Sequence, residues 1–293
     1  MLMIGLQNLV KFNSNLKKWT SFEWIFFFIL IPLFLLLIYL IPQNLKDSFF
    51  VLNPQHLFYT SLLLNNYTHS VFWTHLLPNL MAYLVSIFLI FNFATNKKSF
   101  YCFFAILSVP ISIILSYITI LVLPTYVSQG FSGIVAGLIG YSVYASYKYL
   151  KEVKNINFHN YFIAVVFLIN ALAIWLILPP IVSPPVHDGV FAIIFVTILA
   201  NIYLERNGFK QFFIALQTGA DKVNSSNAFI FFIYWIILIA FSLIVYIGLI
   251  FLIPNNPNQN GSLTNTIVHY LGFASGLFLP LIYELVEGNS SLS

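Results

Sequence analysis

The sequence predicts an all-α, polytopic membrane helix bundle, and three observations carry that expectation. First, 60% of the 293 residues are hydrophobic and only 7% are charged, against roughly 25% charged in ordinary soluble domains. A soluble fold of this length would lack the charge to cover its surface, and its 32 phenylalanines must face lipid or other helices. Second, the apolar residues are gathered into runs of the length needed to cross the hydrocarbon core, about 20 residues each. Third, the charges fall between those runs.

Eight runs are expected to span, near 24–41, 74–94, 100–123, 131–147, 161–181, 188–204, 228–253 and 266–283. The first follows Lys11, Lys17 and Lys18 and has no small-residue cleavage site after it, so it reads as a retained span rather than a signal peptide. With the N-terminus cytoplasmic, eleven of the twelve Lys and Arg residues fall on the inner side and only Lys46 falls outside. The positive-inside rule then places both termini in the cytoplasm, as expected for a plasma-membrane protein with an even number of spans. The chain divides into a cytoplasmic segment 1–23, a transmembrane unit 24–284 and a tail 285–293. The stretch 48–66 is apolar but irregular, with Pro54 and the pair Asn65-Asn66, and reads as a loop lying partly in the membrane interface.

Several function classes are excluded. The single cysteine, Cys102, leaves no disulfide framework or thiolate metal site. The net charge of +4 is spread along the chain, so nucleic acid is not an expected partner. Six scattered histidines without a paired carboxylate do not form a metal site, and no cofactor is expected. Intramembrane charges for ion coupling are nearly absent, which disfavours a transporter.

Polar side chains at membrane depth are functional candidates, because they are costly there. Ser132 lies in Gly130-Phe131-Ser132-Gly133, where an uncharged loop turns into an apolar run. Free N–H groups and the dipole at a helix start favour an anion, which suits a nucleophile whose target becomes an oxyanion. Serine is equally a preferred N-cap residue. His269 heads His269-Tyr270-Leu271-Gly272-Phe273-Ala274-Ser275-Gly276, with Gly272 and Gly276 on its own helical face. That four-residue glycine spacing matches Gly133 and Gly137, with Gly140 beyond, and two such stripes allow helices to approach closely. The alternative is a packing face with an incidental histidine. His75 and Asn79, four residues apart, point the same way on a helix and can both donate hydrogen bonds, as an oxyanion hole requires.

The stretches HLLPN, GFSGIVAGLIGY and HYLGFASG, in this order along the chain and each on an expected span, resemble the rhomboid intramembrane serine proteases. The resemblance covers roughly 45–150 and 260–285. It implies Ser132 as nucleophile and His269 as general base. It further implies an oxyanion hole of His75, Asn79 and the Ser132 backbone N–H, with no acidic third member. The implied reaction is hydrolysis of peptide bonds in or beside the transmembrane segments of membrane-protein substrates, and the lipid bilayer is the other partner. The chain departs from the family in three places. The first outer loop reads NPQHLFYTS, without the common Trp-Arg; Ala136 stands where an aromatic often supports the imidazole; and three helices fit between the serine and histidine spans in place of one. The missing aromatic leaves Tyr141 or Tyr270 as supports for His269. The long spacing makes His187, 55 residues after Ser132, a rival base. A non-catalytic rhomboid-like protein that binds membrane clients is the alternative function. His69 reads as an interfacial histidine, His56 and His159 as loop residues, and the sequons at Asn66 and Asn260 as outward-facing.

Overall fold

Glycine spacing decides which two helices sit at the centre. The computed structural model describes residues 18–159, 161–177, 184–221, 258–259, 262–263 and 266–290. In chain order the helices are α1 (Ser21–Tyr39), α2 (Gln43–Phe49), α3 (Ser61–Leu64), α4 (Phe72–Phe93), α5 (Lys97–Val122), α6 (Ser132–Glu152), α7 (Tyr161–Ile177), α8 (Pro184–Leu204), α9 (Arg206–Asp221) and α10 (Thr266–Ser290). Wide π-turns interrupt α1 at Phe26–Leu30, α4 at Phe72–Leu76 and α5 at Leu107–Ile111, the last around Pro110. A small antiparallel hairpin, Asn258–Gln259 with Ser262–Leu263, precedes α10.

Seven of the eight expected runs are helical, and the run 228–253 lies outside the described residues. Among the described residues, five helices are long and apolar enough to cross a membrane: α1, α4, α5, α8 and the Ile267–Glu284 stretch of α10. Together with the composition, they make this a membrane protein. Helix α7 is apolar over the shorter stretch Tyr161–Leu172. Helix α6 has the length but carries glycines, serines and tyrosines, because other helices surround it. Every residue from Gly133 to Ala145 is buried, so protein contacts rather than lipid set its composition.

The seam between α6 and α10 is made of backbone. A Cβ built on Gly272 would stand 2.3 Å from the Gly133 carbonyl oxygen, one on Gly276 2.0 Å from that of Gly137, and one on Gly140 2.2 Å from that of Phe273. No larger side chain fits at these places unless the helices separate. Leu107 of α5 covers Gly137 from the side. On the other flank, α4 brings Tyr83 against Phe131, with ring centroids 5.7 Å apart, and its hydroxyl donates to the Phe27 carbonyl at 2.9 Å. Trp19, just ahead of α1, stacks on Phe91 at 3.8 Å and donates its indole N–H to the Phe91 carbonyl.

The end of the pair remote from Ser132 is pinned by charge. Lys148 lies 2.7 Å from Glu152 and 3.0 Å from Glu284, and the Tyr144 hydroxyl donates to Glu284. Lys148 is sixteen residues beyond Ser132, or about 24 Å along the helix. The peripheral helices have an anchor of their own. At the α8–α9 corner the fully buried Glu205 carboxylate accepts the backbone N–H groups of His159 and Phe162, each at 3.1 Å. The carboxylate thus caps the start of α7, where the Phe162 N–H also reaches the His159 carbonyl at 3.2 Å. Most of α8 faces outward.

Gly276→Leu should therefore lower the midpoint of unfolding in mixed micelles sharply, as overpacking against backbone does. Gly189→Leu, where a Cβ meets nothing within 4 Å, should stay within about 0.5 kcal/mol of the parent. Equal midpoints for the two variants would show that the glycine seam does not hold the bundle together.

Candidate functional site

Ser132 is the first residue of α6. Phe131 occupies the cap position before it, and no side chain caps this helix. The Ser132 hydroxyl is not engaged as a cap; it lies 2.6 Å from His269 Nε2. The histidine is held there by the seam: the preceding Val268 packs where a Gly133 side chain would be, and Gly272, one turn on, touches the Gly133 carbonyl. His269 is buried, and Ser132 is partly open. An imidazole nitrogen at that distance can take the hydroxyl proton.

Gly130 shapes the approach to the serine. Its φ of +143° lies in a region that side-chain-bearing residues rarely adopt, and its N–H donates to the Asn65 carbonyl at 2.8 Å. The space a Gly130 Cβ would need is filled by His75, whose Nε2 lies 2.7 Å from that point. The Ser132 hydroxyl is 3.7 Å from the same point. The His75 ring and the serine thus face each other across the glycine. His75 comes from the π-turn that opens α4. From Leu77 the helix is regular, with Pro78 in its first turn, where a missing N–H does little harm. Asn79 donates its amide to the His75 carbonyl at 2.8 Å, and the same nitrogen lies 3.2 Å from His69 Nε2.

His69 has a different place from the interfacial one its sequence context suggests. It is fully buried, its ring meets that of His75 edge-on at 4.8 Å, and its Nε2 accepts the Phe131 N–H at 3.3 Å. Since Nε2 accepts, the ring proton sits on Nδ1. Behind it, Lys46 is buried as well, donating to the His69 carbonyl at 3.3 Å and the Tyr39 carbonyl at 3.2 Å. The one basic residue that the charge count placed outside is thus an internal brace, not an exposed surface charge. No local pattern marks either residue, because the contacts that tie Lys46 to His69 and His69 to Phe131 cross 23 and 62 positions.

The other expectations resolve as follows. His187 is on α8, stacked on Trp175 with centroids 5.3 Å apart, with its ring nitrogens near Asp188 and the Trp175 carbonyl; the structure brings His269, not His187, to Ser132. Tyr141 stacks on Phe103 at 4.7 Å and Tyr270 packs on Phe167 at 5.2 Å. The stretch 48–66 contains α3, part of α2 and a bridge from Leu52 to Ser128. Asn66 is buried, with its amide on Ser112 and Ser116 of α5, so its sequon is closed once the chain folds. Asn260 lies outside the described residues.

Comparison with protein-family models, with curated proteins and with solved structures finds no match. The geometry around Ser132 is therefore read from its own atoms.

Burial, reinforced by the neighbouring His75 and Lys46, pushes the His69 pKa from 6.5 down to about 3. Below pH 6.5 the unfolded chain takes up a proton that the folded chain refuses. Linkage then makes stability fall as pH drops from about 6.5. Detergent-unfolding midpoints measured between pH 7.5 and 5.5 should fall less steeply in His69→Gln than in the parent. Parallel slopes would mean that His69 is not buried and neutral.

Proposed function

We propose that this chain is an intramembrane serine endopeptidase of the rhomboid type, hydrolysing a peptide bond in or beside a substrate's transmembrane segment. The observation that carries the reading is the 2.6 Å contact between Ser132 Oγ and His269 Nε2 at the start of a buried helix. His269 takes the serine proton as Oγ attacks the scissile carbonyl. The resulting oxyanion is met by the Ser132 backbone N–H, His75 and Asn79. Collapse expels the amine, which receives the proton from His269 and leaves an acyl-serine. Water, deprotonated by the same imidazole, attacks the acyl carbon and releases the acid, restoring both side chains.

The proposal includes a six-span rhomboid-like core, eight spans in all, both termini in the cytoplasm, and the Ser132 end facing outward in the plasma membrane. What supports this orientation is the placement of the basic residues. Its single exception, Lys46, is internally hydrogen-bonded.

A fluorophosphonate probe and a transmembrane model substrate test the chemistry. The parent should be labelled and should cleave; Ser132→Ala should do neither while keeping its unfolding midpoint. Cleavage by Ser132→Ala at the parent's rate would end the protease reading.

His75 and Asn79 are assigned to the transition state. Removing one such donor typically costs about 10²–10³ in rate. His75→Ala and Asn79→Ala should each lower kcat on that scale with KM nearly unchanged, and a loss confined to KM would remove them from the oxyanion hole.

A further inference from the structure

We propose that His69 is a positioning residue of this site: its Nε2 lone pair collects the Phe131 N–H and the Asn79 amide, and so sets both the turn that presents Ser132 and the aim of one oxyanion donor. The inference rests on the protease reading above and adds a residue which that reading does not use.

One donor belongs to the serine turn itself and the other to a residue assigned above to the oxyanion hole. Phe131 is the residue immediately before Ser132, and its N–H belongs to a helix start whose amides have no partner within the helix. Without an acceptor beside it, this buried group would be left unsatisfied, which is costly away from water. His69 supplies that acceptor from 62 residues away. The same lone pair lies 3.2 Å from the Asn79 amide nitrogen, while the His75 carbonyl, 2.8 Å from it, holds that amide from the other side. Asn79 therefore stands in one orientation, with its nitrogen between the His75 carbonyl and the His69 ring.

The distances matter. Two donors share one ring nitrogen at 3.3 and 3.2 Å, both longer than the usual N–H···O separation of about 2.9–3.0 Å. Each is aimed without being gripped. An oxyanion forming at Ser132 can draw the Asn79 hydrogen away while Phe131 keeps the ring in place. A fully buried histidine making ordinary core contacts would have no reason to receive donors from both the serine turn and Asn79.

The His69 ring is itself fixed. Its backbone carbonyl is tied to the Lys46 ammonium and its ring lies edge-to-face with that of His75, while the buried Nδ1 has no hydrogen-bond partner among the described residues. A continuous line of contacts thus runs from Lys46 through His69 to Phe131 and Asn79. Because burial holds the imidazole neutral, Nε2 keeps its lone pair through the physiological range.

The test uses the full-length protein in detergent with the transmembrane substrate and three variants. His69→Leu keeps apolar bulk and removes the acceptor, while His69→Gln returns an oxygen near the place of Nε2. His69→Leu should lower kcat by up to about 10²-fold, the scale of a displacement of about 1 Å, with KM within about twofold and a parallel fall in fluorophosphonate labelling. His69→Gln should recover most of that loss. The third variant, the double His69→Leu, Asn79→Ala, should lose clearly less than the product of the two single losses, because part of the His69 effect runs through the Asn79 amide.

Parent-like kcat in His69→Leu, a glutamine variant as slow as the leucine one, or multiplicative losses in the double variant would each overturn the proposal. Nitrogen-15 spectra of ring-labelled histidine give a check that needs neither turnover nor the leucine variant. His69 should show a protonated Nδ1 and a bare Nε2, and a protonated Nε2 would overturn the clamp outright. A parent protein that shows this tautomer yet neither cleaves nor labels at Ser132 would instead refute the protease reading.

Discussion

Everything that brings Ser132 and His269 together depends on the absence of side chains along one strip between α6 and α10. Gly133, Gly137 and Gly140 on one helix face Gly272 and Gly276 on the other; backbone atoms fill the space that a Cβ would need at Gly140, Gly272 and Gly276, and Val268 and Leu107 fill it at Gly133 and Gly137. In lipid there is little hydrophobic gain from helix association, so close van der Waals contact between backbones is what makes a pair of helices specific. The seam also sets register. With Gly272 on the Gly133 carbonyl, the residue three positions earlier can only be the one beside the serine. The ion pair of Lys148 with Glu284 and the Tyr144 hydrogen bond close the opposite end of the same pair. Sliding by a turn would break both ends together.

Around that seam the helices sort by how much lipid they meet. Helix α6, wrapped on all sides, can afford serines, tyrosines and glycines; α1 and α8, bare on most of their surface, are rich in Phe, Leu, Ile and Val. Low mean hydropathy in a spanning-length helix is thus a sign of centrality here. The wide turns have local uses too. The one in α5 contains Pro110, whose missing N–H would disrupt a regular helix. The one in α4 contains His75 and ends two residues before Pro78. Such turns often mark functional positions, because they swing a side chain out of the regular helical row.

A second constraint sits above the seam, where the segments 46–75 and 128–132 meet. Leu52 pairs with Ser128, Asn65 takes the Gly130 N–H, and the Asn65 and Asn66 amides fasten the same loop to Ser116 of α5. His69 then reaches Phe131. Each of these contacts satisfies a backbone or amide group that would be expensive to leave unpaired away from water. Hydrogen bonding in this irregular region therefore replaces the packing that regular helices would give, and it lets the turn at Gly130 hold a conformation that glycine alone adopts readily.

The sequence by itself determined the class of the protein and much of its helical plan. Run length, the scarcity of charge and the period of the glycines are local properties, and seven of the eight runs are helices in the described residues. The paired glycine stripes also named the two helices able to approach most closely, since no other runs carry that spacing. What the tertiary structure decided were the long-range partners. His187 and His269 both stand near the start of an apolar run, and only the seam's register separates the one that touches Ser132 from the one that stacks on Trp175. His69 and Lys46 read from sequence as surface groups, because a polar residue before an apolar run is usually solvated. They are buried because partners from distant loops, carbonyls for the ammonium and an N–H for the imidazole, replace the water they lose. Helix periodicity has no means of encoding that exchange, which exists only once the loops have closed over the end of the bundle.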